Sequence, residues 1–179
     1  MIVALDRAVG KILQSVRDNG LEDNTMVIFT SDNGAPNFIN KTDINLPYRG
    51  WKASFFEGGI HVPMFVQWPG RIPPASSKDA LVSHVDLFPS IMAAAGLPVK
   101  HDVDGMDFLP LITSGGDSSE VTTPIPSMSD TLHDTLFWRS DHYLAIRKGD
   151  WKLHVVSVPE PKVWLFNLRS DKRERYNLA

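Results

Sequence analysis

The residues Met26 to Phe29 are apolar without interruption, and through Thr30 they run into Ser31-Asp32-Asn33-Gly34. A short apolar run that ends in turn residues reads as a strand, and a strand without polar alternation needs cover on both faces. That need selects an α/β sheet flanked by helices. In open sheets of this kind ligands gather beyond the carboxyl ends of the strands. Asp32 and Asn33 would therefore offer a carboxylate and an amide oxygen where a ligand sits. A loop rich in Asn, Pro and Asp follows over 35–50, and a loop of that length in a compact domain is usually functional. Gly50-Trp51-Lys52 would then return a positive charge to the same place.

Around this stretch the chain is regular. Ile2, Leu5, Val9, Ile12, Leu13 and Val16 fall on one face of a helix, with Asp6, Arg7, Lys11, Gln14 and Arg17 mostly on the other. Asn19-Gly20 supplies its stop, and nothing at its start resembles an N-cap. Val62 to Trp68 reads as a second strand closed by Pro69-Gly70. Val85 to Ala95 reads as a helix ended by Gly96 and Pro98, and Asp107 to Thr113 as a short helix. Residues 114–130 are rich in Ser, Gly, Thr, Pro and Asp, which places a boundary there. Beyond it, runs at 135–139, 143–147, 151–156 and 163–168, separated by turn signals, predict an antiparallel meander. The division expected is 1–122 for the α/β part and 123–179 for a small antiparallel β subdomain.

Composition narrows the function. The chain has 179 residues, a net charge of −3 and no cysteine. Nothing points to nucleic acid or to an anionic membrane surface as a partner. No apolar run approaches the roughly 20 residues that span a bilayer. Disulfides and thiolate metal sites are excluded.

Three segments carry a family resemblance: Thr30-Ser31-Asp32-Asn33-Gly34, the run from Arg49-Gly50-Trp51-Lys52 to Glu57-Gly58-Gly59, and Val62-Pro63 through Trp68-Pro69-Gly70. In this order and spacing they resemble the sulfatase family of the alkaline-phosphatase-like superfamily, and the likeness continues almost to Ala179. It covers the later part of a sulfatase. The Leu5-Asp6-Arg7-Ala8-Val9-Gly10 segment lies inside the catalytic domain in that family, so the chain is expected to start mid-domain.

By this resemblance Asp32 and Asn33 are metal ligands, for calcium or alternatively magnesium, and Lys52 contacts the substrate sulfate. On the tetrapeptide alone an ordinary turn outweighs a metal site. The flanking matches reverse that weighting. A hard cation needs further oxygens, and the family's other carboxylates are expected upstream. So is its nucleophile, a formylglycine made from the Cys or Ser of a Cys/Ser-x-Pro-x-Arg motif. The nearest serine version here, Ser157-Val158-Pro159-Glu160-Pro161, lacks the arginine. A fixed ammonium at Lys52 suits the charge that develops on sulfuryl oxygens. Trp51, Phe55 and Phe56 are expected to wall it from water.

Other polar residues are weighed against plainer roles. For Glu57-Gly58-Gly59 a structural role is favoured over a catalytic acid: the glycines would take backbone angles closed to other residues, and Glu57 would accept backbone hydrogen bonds. His142, near Trp138 and Arg139, is a candidate substrate-lining residue set against an exposed hairpin position, the plainer reading. His84 and Asp86 could mimic a ligand pair, but they lead into an apolar helix and are read as structural. His61 stands where other sulfatases often carry Arg. His101, His133 and His154 carry no signal.

The resemblance implies hydrolysis of sulfate esters of sugars or aryl compounds in a complete enzyme, in the periplasmic, secreted or lysosomal setting usual for the family. This chain alone, without the formylglycine motif, is expected to be inactive. Two alternatives stand beside it: a non-catalytic remnant or partner-binding module, and a phosphodiester or phosphonate hydrolase of the same superfamily. A sheet without its first strands would expose an edge and an apolar face, which favours self-association.

Overall fold

The computed structural model describes residues 1–39, 41, 43–113 and 132–179. The expected boundary at 122/123 lies outside the described residues. The chain divides into two compact units, Met1–Phe29 with Phe65–Leu132, and Thr30–Met64 with His133–Ala179.

The first unit opens with helix α1, Ile2–Asp18, which carries no side-chain N-cap and is followed by Gly20 at φ 67°. None of its residues is buried. Ile2, Leu5, Val9 and Leu13 line an open groove of roughly 850 Å³ together with Phe29 and Phe65. Two details of the predicted helix face change. Asp6 lines the groove, while Ile12 stands 64% exposed. Strands β1, Val27–Thr30, and β2, Met64–Gln67, pair in a two-stranded sheet. β1 is only half covered, with Phe29 40% exposed, so among the described residues the expected cover on both faces is not met.

The unit's core sits under the loops. Trp68 is buried at the end of β2, where its indole N–H donates to the Asp23 carbonyl at 3.2 Å. Helix α3, Leu87–Ala94, follows a 3-10 turn over His84–Asp86. That turn opens with a reciprocal cap between Ser83 and Asp86. Asp86 is fully buried and accepts the backbone N–H groups of Ser83 at 2.7 Å and Met106 at 2.8 Å. Ser90 accepts from the Phe108 N–H at 2.9 Å, which seats Phe108 and the short helix α4, Leu109–Ile112. Asp86 is thus a brace for the connection after α3, in keeping with its structural reading.

The second unit is built on an antiparallel meander of β3 (Thr135–Ser140), β4 (Tyr143–Lys148), β5 (Trp151–Val156) and β6 (Lys162–Asn167). The pairs Ser140↔Tyr143 and Lys148↔Trp151 close two-residue turns, made feasible by positive φ at Asp141 (46°) and Gly149 (53°). Register places Ala145, His154 and Trp164 in one row, and Leu136, Arg147, Lys152 and Phe166 in the next row of the same face. Ala145, Lys152, His154 and Phe166 on this face are all buried. β5 therefore turns Lys152 and His154 inward and Trp151 outward. The tail then runs back along β6: Asn177 bonds Leu165 and Val163, and the Leu178 N–H donates to the Leu165 carbonyl at 2.9 Å.

Candidate functional site

All the residues singled out from the sequence as site residues, Asp32, Asn33, Lys52 and His142, belong to the second unit. The turn after β1 is shaped by the Ser31 hydroxyl, which donates to the Asn33 carbonyl at 2.9 Å. The Gly34 N–H then donates to the Gly59 carbonyl at 2.9 Å. A Cβ on Gly34 would fall 1.8 Å from the Gly58 carbonyl oxygen, so only glycine admits this approach. Asn45 ties the loop together. Its side chain accepts from the Ala35 N–H at 2.9 Å and donates to the Ala35 and Gly50 carbonyls at 3.0 and 3.1 Å. The Lys52 N–H donates to the same Ala35 carbonyl at 3.2 Å. The backbone that carries Lys52 is thereby joined to the backbone that carries Asp32 and Asn33.

Asp32 is exposed and Asn33 half-buried. Among the described residues neither side chain is engaged by a hydrogen bond or ion pair. Their hard oxygen donors fit half of a site for a divalent cation. Among the described residues no group of three or more His, Cys, Asp and Glu could complete one. Lys52 is exposed beside a half-exposed Trp51 (48%). The aromatic wall does not form as expected. Phe55 turns to Tyr143 and Phe56 to His154, each with ring centroids 4.6 Å apart, because the meander face offers them an apolar and aromatic surface. His142 is exposed in the β3–β4 turn, where its carbonyl accepts the Ser157 N–H at 3.0 Å.

The Glu57-Gly58-Gly59 segment departs from expectation. Residues Glu57–Ile60 form a single helical turn, α2, and neither glycine has positive φ. The glycines are required by proximity instead. A Cβ on Gly58 would lie 2.6 Å from the Arg49 carbonyl, and one on Gly59 2.1 Å from the Ser54 carbonyl. Among the described residues the Glu57 carboxylate accepts no backbone bond. Its carboxylate accepts from Lys152 Nζ at 2.7 Å and meets His61 Nδ1 at 2.9 Å, while its own N–H donates to Glu174 Oε2 at 2.6 Å.

Around it lies a buried cluster that sequence reasoning missed. Lys152 Nζ also reaches Glu174 Oε1 at 3.1 Å, and His154 Nε2 meets the same oxygen at 3.1 Å. His154 Nδ1 lies 2.8 Å from the Tyr143 hydroxyl. Burial pushes the Glu57 carboxyl up, but the His61 hydrogen bond and the Lys152 charge overcome it and hold it at about 2. Burial pushes His154 down despite its bond to Glu174, which keeps the imidazole neutral at pH 7. Burial, reinforced by the Glu174 charge, pushes Tyr143 up to about 12. The alternation of β5 puts Lys152 and His154 on one face but does not mark that face as the buried one.

An α/β unit and an antiparallel meander, with an acid–amide pair at a strand end, are features shared with proteins of the alkaline-phosphatase-like fold. The chain belongs to the sulfatase family, whose model matches residues 1–97. It is 35% identical to N-acetylgalactosamine-6-sulfatase of Canis lupus familiaris over 154 residues, covering 84% of this chain and 27% of that protein. It is 30% identical to human arylsulfatase A over 192 residues, covering 99% of this chain and 38% of that one. Among solved structures it matches Ps i-CgsB in complex with k-i-k-neocarrahexaose at a TM-score of 0.77 and 30% identity, over 99% of this chain and 37% of that chain. The chain thus spans between 27% and 38% of the curated relatives named.

Proposed function

We propose that this chain forms the later part of a sulfate ester hydrolase that acts on sulfated sugars. In it Lys52 contacts the sulfate, and Asp32 and Asn33 would hold a calcium ion. The observation that carries the reading is the pair of backbone bonds, Lys52 N–H to Ala35 and Gly34 N–H to Gly59, that knit the lysine loop to the acid–amide turn. An exposed ammonium on a loop tied by backbone bonds to a turn that carries carboxylate and amide oxygens, all without a side-chain partner among the described residues, suits a tetrahedral sulfate monoester anion held between a cation and a lysine. When bound, the metal would supply positive charge that orients sulfate and lowers the cost of charge developing on its oxygens. Lys52 does the same from the chain itself. The half-exposed Trp51 ring and His142 are the candidate contacts for the sugar. The sugar assignment is supported by the names of the relatives, one acting on N-acetylgalactosamine-6-sulfate and one crystallised with an oligosaccharide.

The test uses the complete sulfatase polypeptide that carries this chain. Lys52→Ala should lower kcat/KM for an aryl sulfate by about 10²–10³-fold, the usual cost of one preorganised charge-stabilising donor. Unchanged turnover would refute the role. Running an aryl phosphonate monoester such as phenyl phenylphosphonate beside the sulfate separates the phosphonate alternative, which predicts the higher kcat/KM for the phosphonate ester. The 179-residue chain alone should show no turnover, for want of the formylglycine motif.

A further inference from the structure

Glu174 lies far from Lys52 in sequence, yet it grips both ends of the loop from which Lys52 rises. Its carboxylate Oε2 accepts the Glu57 N–H at 2.6 Å, just after that loop. Its main-chain carbonyl accepts Arg49 Nη1 at 2.8 Å, just before it. The Gly58 N–H donates to the Arg49 carbonyl at 2.6 Å and closes the neck between these two points. The Arg49 guanidinium also sits 4.2 Å over the Phe56 ring, which stiffens the same neck.

The residue is itself held hard. Glu174 is 0% exposed and has φ of 52°, a conformation that a non-glycine residue keeps only where its surroundings over-determine it. Those surroundings are Lys152 and His154 on its other carboxylate oxygen, and the tail strapped to β6 through Asn177 and Leu178. Strain of this kind is out of proportion to what a simple surface tail needs. Its Oε2 and its main-chain carbonyl are committed to residues 57 and 49.

We propose that Glu174 is a positioning residue for Lys52, fixing both ends of its loop from the C-terminal tail. The inference rests on the reading of Lys52 as the group that contacts sulfate. Glu174 makes no contact with the substrate. It acts by limiting where the ammonium can be.

A double-mutant cycle in the complete sulfatase tests this, with an aryl sulfate as substrate. Glu174→Gln keeps an acceptor for the Glu57 N–H but removes the charge that locates it. It should lower kcat/KM by about 10²-fold, mostly in kcat, as expected for a misplaced group that works in the transition state. In the Lys52→Ala background the same change should cost less than about twofold, because there is no longer an ammonium to misplace. A role in folding alone would reduce the active fraction equally in both backgrounds, and such multiplicative losses would overturn the proposal. If Glu174→Gln does not fold, Arg49→Met in the same cycle releases the other end of the loop and leaves the buried carboxylates paired, with the same expected non-additivity. Full activity of Lys52→Ala would overturn both this inference and the reading beneath it. A large Lys52→Ala loss with a multiplicative cycle would overturn this inference only.

Discussion

Among the described residues the first unit buries Trp68, Phe108 and Leu109, with Asp86 and Ser90 buried singly among backbone donors; the second buries Lys152, His154 and Glu174 together, each at 0% exposure, beside Phe166. Apolar burial is graded: it yields roughly 25 cal/mol per Å² and tolerates small changes. A buried charge cluster is conditional. Its desolvation is offset only while every partner is present. No buried side-chain nitrogen or oxygen among the described residues lacks a hydrogen-bond partner. The second unit, whose buried charges depend on one another, should therefore fail more sharply on single truncations and on acidification than the first. The units carry different roles accordingly. The one with the rigid, ion-paired interior is the one that holds the candidate site.

The largest expected effect is Lys152→Met. It leaves Glu57 and Glu174 buried without the ammonium that lies 2.7 and 3.1 Å from them. Removing one partner of a buried pair costs about 3–5 kcal/mol. Urea unfolding followed by circular dichroism should show that loss. A change below about 1 kcal/mol would mean that Lys152 contributes packing rather than charge balance.

The next effect is pH. The Glu57 carboxyl titrates at about 2 when folded and at 4.5 when unfolded. Below 4.5 the unfolded chain binds the proton first, so stability is present above 4.5 and is lost as pH falls toward 2. At about 1.4 kcal/mol per pK unit, the loss is on the order of 2–3 kcal/mol, allowing for the half-exposed His61 partner. His154 adds to it, since its lowered pKa makes the unfolded state take up protons first below 6.5. Glu57→Gln should flatten the acid limb. An unchanged slope would place the acid sensitivity elsewhere.

How much of this was legible in the sequence follows from the same contrast. The meander was legible because its turns announce themselves at Ser140-Asp141 and Lys148-Gly149-Asp150. The family was legible through the order of its motifs. The buried cluster was not. Trp151-Lys152-Leu153-His154-Val155 alternates in a way that assigns Trp, Leu and Val to the core, and the structure does the reverse with Trp151 at 47% exposure and Lys152 at 0%. That inversion depends on Glu57 and Glu174, which arrive from 95 residues upstream and 22 residues downstream of Lys152, and no local pattern encodes it. Glu57 was misread for the same reason. Its acceptors' partners are side chains from β5 and His61, where local reasoning offered only backbone.

Two glycine substitutions set the units against each other at the smallest scale. Gly59→Ala in the second unit would put a Cβ 2.1 Å from the Ser54 carbonyl and 2.5 Å from the Trp51 carbonyl. Backbone cannot yield there without moving Lys52, so a loss of about 2 kcal/mol is expected from overpacking. Gly10→Ala in α1 meets nothing within 4 Å and lies in the interior of a 17-residue helix. There the methyl only narrows the unfolded ensemble and favours helix, which should stabilise by about 1 kcal/mol. Thermal unfolding of both variants reads the sign directly. Opposite signs would uphold the contrast between a tightly interlocked unit and one with an open helix face. A loss at Gly10 would mean that this side of α1 is covered in solution by a second copy of the chain, and it should then shrink on dilution as the copies part.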